Sequence, residues 1–383
     1  MSLPGLERWI FWFCALAIAY PYAIYPLLLV TSNRLARRGL PAADLAFQPT
    51  VTVICPVHDG ASAIENKVRN LLALDYPREL LEILVVGDGC TDETLAIAER
   101  VGRPGPVHVI ALQQRAGKAA ALNAGLERAM GEIVAFTDAG IRLEPRALRA
   151  LLGHFGNPSV GCVSGEDWVE GGGNEGLYGR LELLLRREEA RLHSIAGASG
   201  CLYAQRRRLC KPFRHGMAPD FLSVLDTVRA GYRALCEPAA RGIMAASTSQ
   251  SAEFARKTRT YLRGITTLFG NLALLNPFRF PAFSFVLVSH KLMRWLAPLA
   301  LAGSLVTATL LRDDPVYRIA LYLQLLLFTL ALAGLTLPRL AAHSVVIRVS
   351  AFFLLVNGAA ACAIGLWLAG VRQEVWQPTR RQG

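Results

Sequence analysis

No two of the eight cysteines stand two residues apart, and His58 has no partner at metal-ligand spacing. A CxxC redox pair and a zinc site have no support in that pattern. Several cysteines sit in strand-like apolar stretches, and Cys14 and Cys362 lie in long apolar runs. Reduced, buried thiols of a cytoplasmic domain fit this usage; a disulfide framework does not. No repeat of 20 to 50 residues is visible, which argues against a solenoid. Acidic residues are the scarcer sign, 29 against 41 basic, for a net charge of +12. The excess is local. Arg34, Arg37 and Arg38 follow one apolar run, and Arg256, Lys257, Arg259 and Arg263 precede others. Charge that tracks membrane ends gives no support to nucleic-acid binding.

What the chain has in abundance is apolar sequence, 53% by count. Trp9 to Val30 carries no charge. As a helix it would be about 33 Å long, against a hydrocarbon core of about 30 Å. No small-residue cleavage site follows it, so it reads as an anchor. Three further runs lie near the end: Leu296 to Leu311, Ile319 to Leu337 and Val349 to Val371. The first is short, with Arg294 and Arg312 placed to snorkel at its ends. The expected plan is an anchor over 1–40, a soluble domain over 41–265, and an interfacial segment with a membrane bundle over 266–383. Basic residues beside the spans place the soluble domain on the cytoplasmic side of the cell membrane. Three C-terminal crossings would carry Arg372, Arg380 and Arg381 to the other side, against the same rule.

Between the spans, strand-like and helix-like stretches alternate. "VTVICPVH", "LEILVVGDG", "VHVIAL", "EIVAFTD" and "VGCVSG" read as strands. Ala61 to Leu74 reads as a helix, with Ile64, Val68, Leu71 and Leu72 on one face, and Lys118 to Met130 as another. Thr91 offers a helix cap, and Pro145 opens a helix where proline is tolerated. Alternation of this kind predicts an α/β fold with a mainly parallel sheet flanked by helices. Ligands of such sheets bind beyond the carboxyl ends of the strands. Those ends carry Asp59, Asp88 and Asp138. Later, Gly176 to His193 reads as an amphipathic helix, and "PDFLSVLDTVRAG" as a turn and a helix stopped by Gly231.

The stretches "CPVHDG", "LDYPRELLEILVVGDGCTDET", "GKAAALNAGLERAMGEIVAFTDAG", "GASGCLYAQRR", "PDF" and "GYRALCEP" occur in that order. As an ordered set they resemble the membrane-bound, inverting family-2 glycosyltransferases, which include cellulose, hyaluronan and poly-N-acetylglucosamine synthases. The likeness covers about residues 50 to 265 and continues more weakly through "SHKLMRW" and "VWQPTRR". It implies a GT-A-type nucleotide-sugar fold, a donor that is usually a UDP-sugar, and a divalent cation, Mg²⁺ or Mn²⁺. By position, Pro56, Val57 and Asp59 match the first strand end that meets the nucleotide. Asp88 matches the uracil or ribose side, and Lys118 a basic residue near the nucleotide. Asp138 matches the first acid of an Asp-x-Asp motif and would hold the metal; Gly140 stands where the second acid is usual. Asp220 matches the general base, preceded by Pro219 in place of an acid. Arg256, Arg259 and Arg263 lie on the acceptor or phosphate side, in a stretch that lacks the Gln and Trp of the polymerising members.

The chemistry asks for these residue types. A single displacement at an anomeric carbon needs a carboxylate to take the acceptor hydroxyl's proton, and cations to meet the departing diphosphate. The expected partners are a nucleotide-sugar, a polysaccharide or glycolipid acceptor, and the bilayer. Two alternatives stay open: a polyprenyl-phosphate sugar transferase, and a non-catalytic nucleotide-binding membrane subunit.

Overall fold

A computed structural model describes residues 5–169, 176–245 and 249–372. Eight strands form one sheet: β1 (Val51–Val57), β2 (Leu81–Asp88), β3 (Val107–Leu112), β4 (Ile133–Phe136), β5 (Ile141–Leu143), β6 (Val160–Val169), β7 (Tyr203–Arg206) and β8 (Arg233–Met244). Their order is β3-β2-β1-β4-β7-β6-β8-β5. Four of the seven pairings are parallel: β1 with β2, β1 with β4, β2 with β3, and β6 with β8. β7 runs antiparallel to both β4 and β6. The expected mainly parallel α/β sheet is present, with an antiparallel insertion between two parallel parts.

Composition explains the centre. All seven residues of β1 are buried and all four of β4. Val, Ile and Phe at consecutive positions suit a strand covered on both faces, where alternation is not required. The flanking helices Ala61–Leu72 and Lys118–Arg128 bury Ile64, Val68 and Leu71, and Ala121 and Leu122. Chain order reverses between β1 and β4, so their carboxyl ends flank a topological switch point. That is where open α/β sheets leave a crevice.

Several boundaries shift. Both early helices stop two residues short of expectation, and a three-residue strand, β5, follows Asp138 within one turn. Its sequence "IRL" is too short to carry a periodic signal. The helix after Pro145 runs Ala147–Gly153. Thr91 does not cap a helix. The helix is Thr94–Gly102, and Asp92 Oδ1 accepts from the Thr94 N–H at 3.0 Å. An ionised carboxylate at that position satisfies a free helix donor better than a hydroxyl.

Among the described residues, four helices are long and apolar enough to cross a membrane: Leu6–Leu35, Pro281–Leu310, Pro315–Thr336 and Val345–Leu368. The second begins 15 residues earlier than the Leu296 start expected from the uncharged run. His290, Lys291 and Arg294 break the apolar pattern there, but they lie inside the helix. Arg294 does not snorkel. It is 6% exposed and pairs with Glu182. Small residues let spans approach: a Cβ on Gly303 would lie 2.8 Å from Cys14 Sγ, and one on Gly334 2.8 Å from Ala351 Cβ. The "VWQPTRR" stretch, with Arg380 and Arg381, lies outside the described residues.

The sheet domain meets the spans through helix Gly176–Leu192. His290 bridges Glu189 at 2.6 Å and Glu182 at 3.0 Å through its two ring nitrogens. Tyr25 of the first span donates to Glu189 at 2.9 Å, and Asn33 to the Glu188 carbonyl at 2.8 Å. Burying this many charges is tolerable only because each has a partner from another element.

Candidate active site

β4 ends at Phe136, and the next two residues turn out of the sheet. Thr137 is buried, and Asp138 lies at the turn with its side chain 32% exposed. Lys118, the first residue of its helix, reaches Asp138 Oδ1 at 2.5 Å. Gly117 precedes it at φ 89°, a backbone state that side chains rarely adopt. Pro56 at the end of β1, Lys118, Asp138, Pro219 and Asp220 line one pocket, walled by Tyr203 and Phe136. The two rings stack at 4.7 Å. Thus four of the residues singled out from sequence, Pro56, Lys118, Asp138 and Asp220, converge from four separate segments.

The others take different places. Val57 is buried in the core, 2% exposed. Asp59 sits at the rim with φ 44°, and its Oδ1 accepts from the Thr91 N–H at 2.8 Å. That bond holds its carboxyl below the ordinary range; slight burial opposes it and His58 assists. Asp88 is 1% exposed and does not line the pocket. Its carboxylate accepts from the Ala116 N–H at 2.7 Å and the Gly117 N–H at 2.9 and 3.0 Å. It holds the loop that presents Lys118. A Cβ on Gly89 would lie 2.4 Å from Arg115 N, so only glycine lets this loop lie against the end of β2.

Asp220 occupies the first turn of helix Pro219–Arg229, with Oδ2 placed 3.8 Å from where a Cβ on Gly200 would stand. Arg256, Arg259 and Arg263 share helix Gln250–Phe269. Arg256 bonds Glu253 at 2.8 Å. Arg263 lies within electrostatic reach of Asp220 and Asp138. Burial lowers its proton affinity and Arg259 adds to that, while Asp220 and Asp138 act against both.

Sequence reading missed Asp167 on β6. Ser199 Oγ donates to it, and Arg186 stands 3.8 Å away. Burial raises its carboxyl above the usual range, Arg186 opposes, and Asp220 adds to the rise. The "GEDW" stretch carried no turn or motif that could mark it. Lys67 was missed too. It belongs to the buried face of its helix and donates to Thr137 Oγ1 at 2.9 Å.

Two carboxylates, a lysine and a strand-end crevice can bind a phosphorylated ligand and take a proton beside it. The family model "Glycosyl transferase family 2" matches residues 52–211, which include every strand from β1 to β7 but neither Asp220 nor the spans. The chain carries a family 2 glycosyltransferase domain.

Over 133 residues the chain is 29% identical to Glycosyltransferase AglD of Haloferax volcanii, covering 34% of this chain and 21% of that protein. It is 28% identical over 135 residues to poly-beta-1,6-N-acetyl-D-glucosamine synthase of Staphylococcus aureus, covering 35% and 32%. The matches thus span a fifth to a third of those relatives' lengths. One solved structure is similar across nearly everything: the mannosyltransferase PcManGT from Pyrobaculum calidifontis, in complex with GDP-Man and Mn²⁺. It has a TM-score of 0.72 and 24% identity, and covers 95% of this chain and 99% of that one. The GT-A-like sheet and the helical region beyond the family 2 domain therefore form a fold already seen in one solved chain.

Proposed function

We propose that this chain is an inverting membrane glycosyltransferase. It moves a sugar from a nucleotide-sugar to a saccharide or glycolipid acceptor. One observation carries the reading: Asp138 and Asp220, from separate segments, open into the same pocket as Lys118 and Pro56. In a single displacement the incoming hydroxyl and the leaving diphosphate lie on opposite faces of the sugar. Asp220 takes the hydroxyl's proton as its oxygen bonds to the anomeric carbon. Lys118 brings positive charge to the side where diphosphate departs. Asp88 acts through the loop before Lys118, as a positioning residue.

A divalent cation, Mg²⁺ or Mn²⁺, belongs to this reading, and the residues fit one. Asp138 is a half-exposed carboxylate, and the space beside Gly140 is open, with nothing within 4 Å of a Cβ there. Hard cations accept water and phosphate oxygens as further ligands. When bound, the ion neutralises charge on the leaving diphosphate. Asp138 would hold it, and Lys118 would give up its bond to Asp138 as it binds.

The resemblance favours a UDP-sugar, whereas PcManGT was solved with GDP-Man. The first experiment therefore presents the full chain, in detergent or nanodiscs, with UDP-, GDP- and dTDP-sugars and Mn²⁺ or Mg²⁺, and measures nucleotide release. Release from one donor class, lost in Asp138→Ala, is expected. Binding without release from any donor would favour the non-catalytic subunit instead. Arg256, Arg259 and Arg263 lie on the acceptor side, so polyprenyl phosphate belongs beside oligosaccharides in the acceptor set. Arg34, Arg37, Arg38 and the 256–263 cluster support a cytoplasmic catalytic domain. Protease accessibility of the 41–265 region in sealed vesicles tests that side.

A further inference from the structure

Lys67 has no assigned role, lies in the middle of a helix, and is 2% exposed. A lysine is rarely buried without a reason that repays its desolvation. Here the ammonium donates to Thr137 Oγ1 at 2.9 Å and to the Ile141 carbonyl at 2.7 Å. These two acceptors flank Asp138, Ala139 and Gly140. Lys67 thus clamps the turn at both ends. Thr137 Oγ1 in turn donates to the Cys201 carbonyl at 2.8 Å, next to Gly200 on the Asp220 side of the pocket. The turn carrying Asp138 is tied through one buried cation to helix Ala61–Leu72 and to the floor beneath Asp220.

The missing second acid gives the clamp a purpose. With Gly140 in the turn, only Asp138 is available there as a charged ligand, and glycine loosens the backbone that carries it. A ligand held within about 0.5 Å of its working position needs fixed support behind it. Burial lowers the proton affinity of Lys67, and Asp138 acts in the opposite direction. The same charge is therefore part of Asp138's electrostatic surroundings.

We propose that Lys67 is a positioning residue for the donor diphosphate and its cation: it clamps the Asp138 turn at both ends from beneath. This rests on the glycosyltransferase reading above. The test uses the full chain and two probes, UDP and GDP, with Mn²⁺ varied and binding followed by calorimetry; nucleotide release is measured in parallel. In Lys67→Met the Mn²⁺ concentration for half-maximal nucleotide binding is expected to rise tenfold or more. Turnover at saturating Mn²⁺ should fall by a similar factor. A merely structural lysine would lower the melting temperature and leave the Mn²⁺ requirement of the folded protein unchanged. That result overturns the proposal. If Lys67→Met does not fold, Thr137→Val removes one clamp acceptor and leaves Lys67 its bond to the Ile141 carbonyl, and a threefold or larger rise in the Mn²⁺ requirement is expected. An unchanged value there overturns the proposal equally. If the wild-type chain binds neither nucleotide with Mn²⁺, the glycosyltransferase reading itself fails. If it does and the variants match it, only the role of Lys67 fails.

Discussion

The strand ends of the sheet and its junction with the apolar helices are built on different principles. The proposed donor end, from β1 to β4, rests on largely apolar strands that carry acids where they stop. Its acids stand at β1, β2 and β4 ends, and each bonds locally or to the next loop. The junction with the apolar helices rests on buried charge. Asp167, Arg186, Glu182, His290 and Arg294 lie inside elements, and the Glu182 pairs join residues more than 100 positions apart. A buried charge network fails when one member is removed, because the partner is then left uncompensated.

Four experiments break or sharpen that contrast. The largest effect is expected from Asp220→Asn. It should lower nucleotide release by about 10²- to 10⁴-fold, the usual worth of a general base, while calorimetry shows nucleotide affinity unchanged. Equal turnover in the variant would remove Asp220 as the base. Next is Arg294→Met, which strands Glu182 beside the spans. A loss of about 3 to 5 kcal/mol is expected in denaturant or thermal unfolding, partly recovered by adding Glu182→Gln. A neutral single variant would show that the junction is solvated and not a buried network.

Gly140→Asp tests the donor end. Its Cβ meets nothing within 4 Å, so the new acid should be accommodated. Half-saturating Mn²⁺ should fall by about tenfold, since charged ligands tune the affinity of such sites. A rise instead would mean that the open space is already filled by the diphosphate. The smallest effect concerns Glu237 on β8. Burial works against its charge, yet His154 at 2.6 Å and the Ala239 N–H at 2.7 Å hold its carboxyl below the ordinary glutamate value. A depressed carboxyl contributes stability above its unfolded value and loses it as pH falls through the folded one. Thermal melts from pH 6 downward should show the wild type losing more stability than Glu237→Gln below about 4.5. Parallel curves would remove the contribution.

Most of the donor end was legible because its signals are local. Consecutive Val and Ile followed by Asp and Gly mark a buried strand and its stop within eight residues. Even there, "GDG" could not say what Asp88 does. An acid in an Asp-Gly turn looks available to a ligand; only the fold shows Ala116 and Gly117 closing on it. Lys67 was hidden for a related reason. Between Asn66 and Val68 it reads as a solvated helix position, and the acceptors that justify its burial lie 70 residues further on.

The apolar runs, the alternation of strand and helix, and the acids at strand ends were decided by the sequence itself. Each follows from backbone sterics and apolar burial over a few residues. Which acids share a pocket, which charges are buried, and where the membrane helix begins were decided only by tertiary structure. Pro281–Leu310 shows why. His290, Lys291 and Arg294 interrupt its apolar pattern, yet His290 and Arg294 are stabilised there by carboxylates from another helix. Desolvation and its compensation are properties of two surfaces together, and a sequence presents one residue at a time.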